Sequence, residues 1–360
     1  MQRSAQLLLA LALTGCTVGP DYARPEINSP TAWRHPPPPL NTTAVADAAN
    51  TLWWEQFGDP VLDQLVAEAL GSNLDIQIAA ARVDQFVGAL GATRSQLFPQ
   101  IGYGGRATSA QASRLGVPPL PPGFDPTFSL FEASLAANWQ IDLFGRVRRQ
   151  TEAAQAQVYA SEQGQRGVVL TLVSNLATSY IALRALDRQL EIARATAANF
   201  EKTAKIFDLR FKQGIISKTE VMQITSQVQQ ARTAIPAFEQ AIAAQENLIS
   251  ILLGRNPGPI PRGKTIDELL VPQIPANLPS TLLERRPDVL QAEQNLVAAN
   301  ANVGAARALY YPNISLTGLL GTVSTDFGRL FSGDAQAYSL AASVAGPIFT
   351  FGAIKGQNRA

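Results

Sequence analysis

With 360 residues, the chain is long enough for two or more ordinary domains or one long elongated one. Its 29 basic and 28 acidic residues nearly cancel, so no strongly basic surface marks it for nucleic acid; at 16% charged, it suits long helices with weakly polar faces. One cysteine and one histidine exclude an internal disulfide and a multi-histidine metal site. There is no histidine-based dyad, Walker-type loop or metal cluster, and Gly102-Tyr103-Gly104-Gly105 sits in a strand pattern rather than before a helix. The sequence therefore points away from an enzyme, and no cofactor is expected.

Residues 1–15 read as a signal peptide. A short basic start, Met1-Gln2-Arg3, precedes an apolar run from Leu7 to Leu13 that is too short to span a bilayer. The run ends in Leu13-Thr14-Gly15-Cys16, which resembles the bacterial lipobox. Cys16 is thus expected to be the lipidated first residue of the mature chain; the competing reading is an ordinary signal peptide with a chance cysteine. By the same resemblance, Thr17 in place of Asp favours delivery to the outer membrane. Residues 16–57, with Pro36 to Pro39 consecutive and His35 beside them, read as an extended strap.

Residues 58–254 form a first block. Asp59-Pro60 starts a helix, with Leu62, Leu65, Val66, Ala69 and Leu70 at helical spacing. A second helical run from about Asn73 to Leu97 stops at Phe98-Pro99. The period then falls to two through a strand pair at 100–142. Phe131, Ala133, Leu135, Ala137, Trp139 and Ile141 face one side, against Glu132, Ser134, Ala136, Asn138, Gln140 and Asp142 on the other. This is a transmembrane-length strand with Trp139 placed for an interface, although a strand of a soluble sandwich has the same pattern.

A helical hairpin follows at 146–254. Its first arm, to about Lys212, has no proline and extends on the order of 100 Å. Val169, Val173, Leu176, Tyr180, Leu183 and Leu190 trace a coiled-coil seam along it. Gly214 stops the arm, Ser217-Lys218-Thr219-Glu220 has the form of a capping box for the return, and Pro236 is expected to interrupt that return. A soluble antiparallel coiled coil would look similar, but no ordinary globular core holds so long an arm. Residues 255–286 are irregular.

Residues 287–360 repeat the first block. Asp75 falls on Asp288, Gly91-Ala92 on Gly304-Ala305, Arg94 on Arg307, Phe98-Pro99 on Tyr311-Pro312, and Leu143-Phe144-Gly145 on Thr350-Phe351-Gly352. A helix, a strand pair at 313–349 and the start of a helix recur in order. Four membrane strands cannot close a barrel, and an open edge in hydrocarbon leaves backbone groups unpaired at several kcal/mol each. The chain should therefore share a barrel with copies of itself, three of which give about twelve strands.

Several stretches together resemble the outer membrane factor family, TolC-like channels, and within it the NodT-type lipoproteins of RND efflux systems. They are Cys16-Thr17-Val18-Gly19-Pro20-Asp21-Tyr22 with Arg24-Pro25, Trp53 to Pro60 (WWEQFGDP), Leu282 to Asp288 (LLERRPD), and Tyr311 to Gly318 (YPNISLTG). The resemblance covers essentially the whole chain. It implies a mixed α and β membrane protein: a homotrimer with a twelve-stranded barrel in the outer membrane of a Gram-negative bacterium, in contact with outer-membrane lipid, and long periplasmic helical hairpins. Its partners would be a periplasmic adaptor and an inner-membrane RND-type pump, and its task passive export of drugs or other small molecules. Arg210, Gly214 and Ser217 match the family's adaptor-docking tip, though Gly214 and Ser217 also serve as plain helix caps. After Gly352 only a stub stands where the first block continues to Gly254. The symmetry thus leads one to expect a missing second hairpin, together with its gate residues, and a seam from Val169 to Leu190 left open to water. A non-conducting outer-membrane lipoprotein with a structural role is the alternative, and the cargo is not legible.

Overall fold

A computed structural model describes residues 17–25, 52–113, 121, 123, 125–272 and 285–359. The signal peptide, Cys16, His35 and residues 273–284 lie outside the described residues. After a short 3-10 turn at Trp53–Phe57 come α1 (Pro60–Ser72), α2 (Leu74–Ser95), β1 (Gln100–Gln111), β2 (Thr127–Ile141), α3 (Arg146–Lys212), α4 (Lys218–Leu252), α5 (Pro287–Ala308), β3 (Asn313–Ser324), β4 (Gln336–Ala345) and α6 (Ala353–Gln357). The chain divides into two units.

One unit comprises Asp84–Ala160, Gln291–Ala360 and the N-terminal residues through Glu26. Its centre is a single antiparallel sheet in the order β1-β2-β3-β4. The register places Tyr103, Leu135, Leu320 and Tyr338 in one row, and Ile101, Ala137, Gly318 and Leu340 in the next. Opposed residues share a face, so the apolar set of every strand lands on the same side. The other face carries Ser134, Asn138, Thr317 and Ser343, and Ser315 and Ser343 hydrogen-bond there at 2.7 Å. The start of α3 packs on α5 through four alanines, Ala153, Ala156, Ala298 and Ala301, whose small side chains allow close helix approach.

The other unit comprises Ile27–Val83 and Ser161–Leu290. Its core joins Leu62, Leu65, Val66 and Ala69 of α1 to Leu172, Val173, Leu176, Tyr180 and Leu183 of α3 and Ile249 of α4. This corrects the expected open seam. Val173, Leu176, Tyr180 and Leu183 are at most 2% exposed, because α1 covers the stripe that sequence reasoning had assigned to an absent hairpin. One stretch of α3 is also long and apolar enough to cross a membrane by composition, but the helix supplies this core, and core helices pass the same test.

Pro236 is a second correction. It lies inside α4 without ending it. Arg194–Glu239 and Arg232–Glu201 pairs join the two arms on either side of it, and Pro236 is exposed, so water can satisfy the carbonyl it leaves unbonded.

Sequence reasoning found Asp59 as the helix cap but missed its second role. The carboxylate has no exposed surface. It accepts hydrogen bonds from the N–H of Val61 (2.9 Å), the hydroxyl of Tyr180 (2.7 Å) and the N–H of Lys264 (3.0 Å). The Tyr180 hydroxyl in turn accepts from the N–H of Gly263 at 2.9 Å, and a Cβ at Gly263 would collide with Asp59. Three segments far apart in sequence thus meet on one buried charge. Burial, followed by the bond to Asp59, pushes Tyr180 up to about 12. The raised value means that the neutral phenol is favoured on folding. That contribution is complete below the ordinary tyrosine value and is lost as pH rises through about 12. Tyr180→Phe removes one of the carboxylate's three donors and is expected to destabilise the fold by about 1–3 kcal/mol at neutral pH, with the deficit shrinking toward pH ~12. Denaturation followed by circular dichroism at both pH values checks this; a variant as stable as the parent at neutral pH would contradict it.

Candidate functional site

Two features can do work: the one-sided sheet and the tip between α3 and α4. On the sheet, the apolar face is fully displayed, with Tyr103 92% and Leu340 83% exposed. Aromatic groups mark both ends of this face. Near the ends joined to helices, Trp139 donates from Nε1 to the carbonyl of Leu97 at 2.9 Å, and Phe144 stacks on Tyr311 at 4.8 Å. At the other end Phe131 meets Phe327 edge-on at 5.4 Å. Phe131 and Trp139 stand about 26 Å apart along the strand. At a strand tilt of ~40° this is about 20 Å of depth, close to the apolar band of an outer-membrane barrel.

The N-terminal residues dock beside this rim. The N–H of Val18 donates to the carbonyl of Phe144 at 3.2 Å, and Asn300 donates to the carbonyl of Pro20 at 3.0 Å. Gly145, at φ +78°, leaves the room Thr17 occupies, and Gly19 lies directly against Gly304. Arg149, 6% exposed in its side chain, pairs with Asp21 at 2.6 Å and with Glu152 at 2.8 Å, and Arg24 pairs with Glu293 at 2.9 Å. None of these contacts was legible in the sequence, where the stretch stood out only by its family resemblance. Cys16, the residue before Thr17, lies outside the described residues.

At the tip, α3 ends in a Schellman motif. The N–H of Gly214 reaches the carbonyl of Phe211 at 2.8 Å, the N–H of Ile215 reaches the carbonyl of Arg210 at 3.0 Å, and Gly214 adopts φ +73°. Three residues later Ser217 caps α4. Its hydroxyl accepts from the N–H of Glu220, while the Glu220 carboxylate accepts from the N–H of Ser217 at 2.7 Å. Arg210, Gly214 and Ser217 are therefore brought together, each contributing to one tight turn. Around them Leu209, Ile215 and Met222 are each at least 60% exposed. Five basic residues between Lys202 and Met222, against Asp208 and Glu220, make the tip cationic. Among the described residues no cluster of acidic, histidine or cysteine side chains could hold a metal.

A family model described as outer membrane efflux protein matches residues 65–255 and 278–360. The chain is 33% identical over 356 residues to the probable efflux pump outer membrane protein TtgC of Pseudomonas putida, covering 97% of this chain and 73% of that protein. It is 32% identical over 350 residues to the cation efflux system protein CusC of Escherichia coli strain K12, covering 96% and 74%. A crystal structure of CusC superposes with a TM-score of 0.82 at 29% identity, over 96% of this chain and 76% of that one. The open state of the Neisseria gonorrhoeae MtrE outer membrane channel gives 0.82 at 26% identity, over 96% and 75%.

If the apolar face meets lipid, Leu135→Arg is expected to destabilise the inserted protein by about 2–4 kcal/mol, while Ser134→Arg, on the polar face, costs little. Urea unfolding from lipid vesicles separates the two; equal damage would favour a soluble sheet.

Proposed function

The chain belongs to the outer membrane efflux protein family and is an efflux channel subunit of the outer membrane, and from that premise we propose that three copies form a passive conduit for small molecules. The carrying observation is the one-sided sheet with two unpaired edge strands, β1 and β4. In hydrocarbon such edges are too costly to leave open, and copies of the same chain supply the missing partners. The polar face, with Ser134, Asn138, Thr317 and Ser343, then lines a water-filled lumen. Such a wall discriminates cargo weakly, and no catalytic step is needed for passive flow.

The tip at Arg210, Gly214 and Ser217 is proposed to dock a periplasmic adaptor that links the channel to an inner-membrane RND-type pump. Its rigid double cap, exposed apolar side chains and positive charge support this. Cys16 is proposed to carry an acyl anchor. The docking of Thr17 and Val18 beside Phe144 and Gly145, at the aromatic rim of the sheet, suits a lipid attached one residue earlier.

The purified oligomer is expected to open stepwise conductance in planar lipid bilayers. Gly214→Val forces a branched side chain into the left-handed region, at about 1–2 kcal/mol, and reshapes the turn. It should keep the oligomer and its conductance but fail to restore efflux in a strain lacking its own channel. An assembled oligomer that never conducts would favour the structural lipoprotein, and normal efflux with the valine would refute docking at the tip.

A further inference from the structure

The four strands carry almost no charge. Among all their residues only Arg106 of β1 and Glu132 of β2 are charged. The register sets these two directly opposite each other. Both belong to the polar face, two residues along from Gly104 and Ser134, which are opposed in the same way. Their row adjoins that of Ala107 and Phe131, so the pair stands at the outer end of the sheet, beside the aromatic contact between Phe131 and Phe327.

Two features leave these charges available. Arg106 is exposed and Glu132 half-buried, and among the described residues neither has a hydrogen bond or an ion pair. The next row of the polar face toward the helices is small throughout: Gly104, Ser134, Gly321 and Ala337 stand side by side. The two long side chains therefore rise above the wall around them. A pair that served only to fix strand register would gain by contact between its groups, and these two are not in contact.

We infer that Arg106 and Glu132 set the charge selectivity of the lumen at its outer mouth, and that as a balanced pair they admit small molecules of either sign. The inference rests on the reading of three copies as a conduit, and it names the residues that tune that conduit. Three copies place three cations and three anions near one level. A barrel of twelve strands, ~4.8 Å apart and tilted by ~40°, has a backbone radius of about 12 Å. Every ion that leaves passes within that distance of the charged girdle. At ~0.01 M salt the screening length is about 30 Å, so a charge on the wall is felt at the axis; at ~1 M it is about 3 Å, and the charge is not felt there.

With both signs present, the fields cancel on the axis. With one sign removed, three like charges remain, at a level where the strands carry no other charge. Weak discrimination by this wall thus has a cause beyond its neutral residues: its mouth is charged and balanced.

Reversal potentials in planar lipid bilayers, measured on the intact oligomer across a potassium chloride gradient, read this selectivity. Glu132→Gln is expected to lower the potassium-to-chloride permeability ratio by about twofold or more at ~0.01 M salt, and Arg106→Gln to raise it by as much. Combining them, or exchanging the charges as Arg106→Glu with Glu132→Arg, should restore the parental ratio. At ~1 M salt every variant should match the parent. Single variants that conduct with the parental ratio at low salt overturn the role of the pair and leave the conduit standing. Single variants that fail to assemble, where the exchanged pair assembles, assign the two charges to strand pairing and overturn the inference equally. A parental oligomer that is inserted yet never conducts overturns the conduit reading, and the inference with it.

Discussion

Backbone hydrogen bonding in an apolar medium is the constraint on which this protein depends. Four strands with one apolar face are stable in neither available solvent alone. In water the face of Tyr103, Leu135, Leu320 and Leu340 would lie bare; in lipid the open edges of β1 and β4 would hold unpaired amides and carbonyls. Closing the sheet on copies of the same chain removes both problems. The aromatic groups at the two ends of the face then fall where water, headgroup and hydrocarbon meet.

Outside the sheet, polar groups used more than once hold the helices. Asn73 ends α1, caps α2 by accepting from the N–H groups of Asp75 and Ile76, and donates to the carbonyl of Leu252 at the end of α4. Asp59 begins α1 and fixes both Tyr180 of α3 and the turn at Gly263-Lys264. A buried carboxylate is costly without partners, and with three donors it becomes a specific junction: any shift of α1 along α3 would leave it unsatisfied. Next to it Arg262 joins Asp187 of α3 to Glu246 of α4 through partly buried pairs. Together these place an irregular segment, residues 255–272, firmly against the helices.

Local patterns were the legible part of the sequence. The alternation from Phe131 to Ile141, the cap at Asp59-Pro60, the capping box at Ser217 and the left-handed Gly214 all depend on near neighbours, and the structure has each of them. The hidden part depends on distant contacts. Nothing local indicates that α1 covers the stripe from Val173 to Leu183, since a heptad-like spacing has the same form whichever helix lies on it. Pro236 misled because it lies at an exposed position, where water can take up the carbonyl that a proline leaves unbonded, with ion pairs between the arms flanking it. The docking of Thr17 to Arg24 was invisible because its contacts are backbone atoms, glycine surfaces and single charges, none of which makes a pattern. The candidate tip residues divide the same way: Gly214 and Ser217 could be found from the turn they build, whereas Arg210 stood out only through the family resemblance.

The central claim is that the sheet is incomplete in one chain and complete in three. Native mass spectrometry of the protein released intact from outer membranes measures that count directly. The account requires a mass of three chains. A monomer that remains folded and membrane-inserted, with β1 and β4 unpaired, would contradict it.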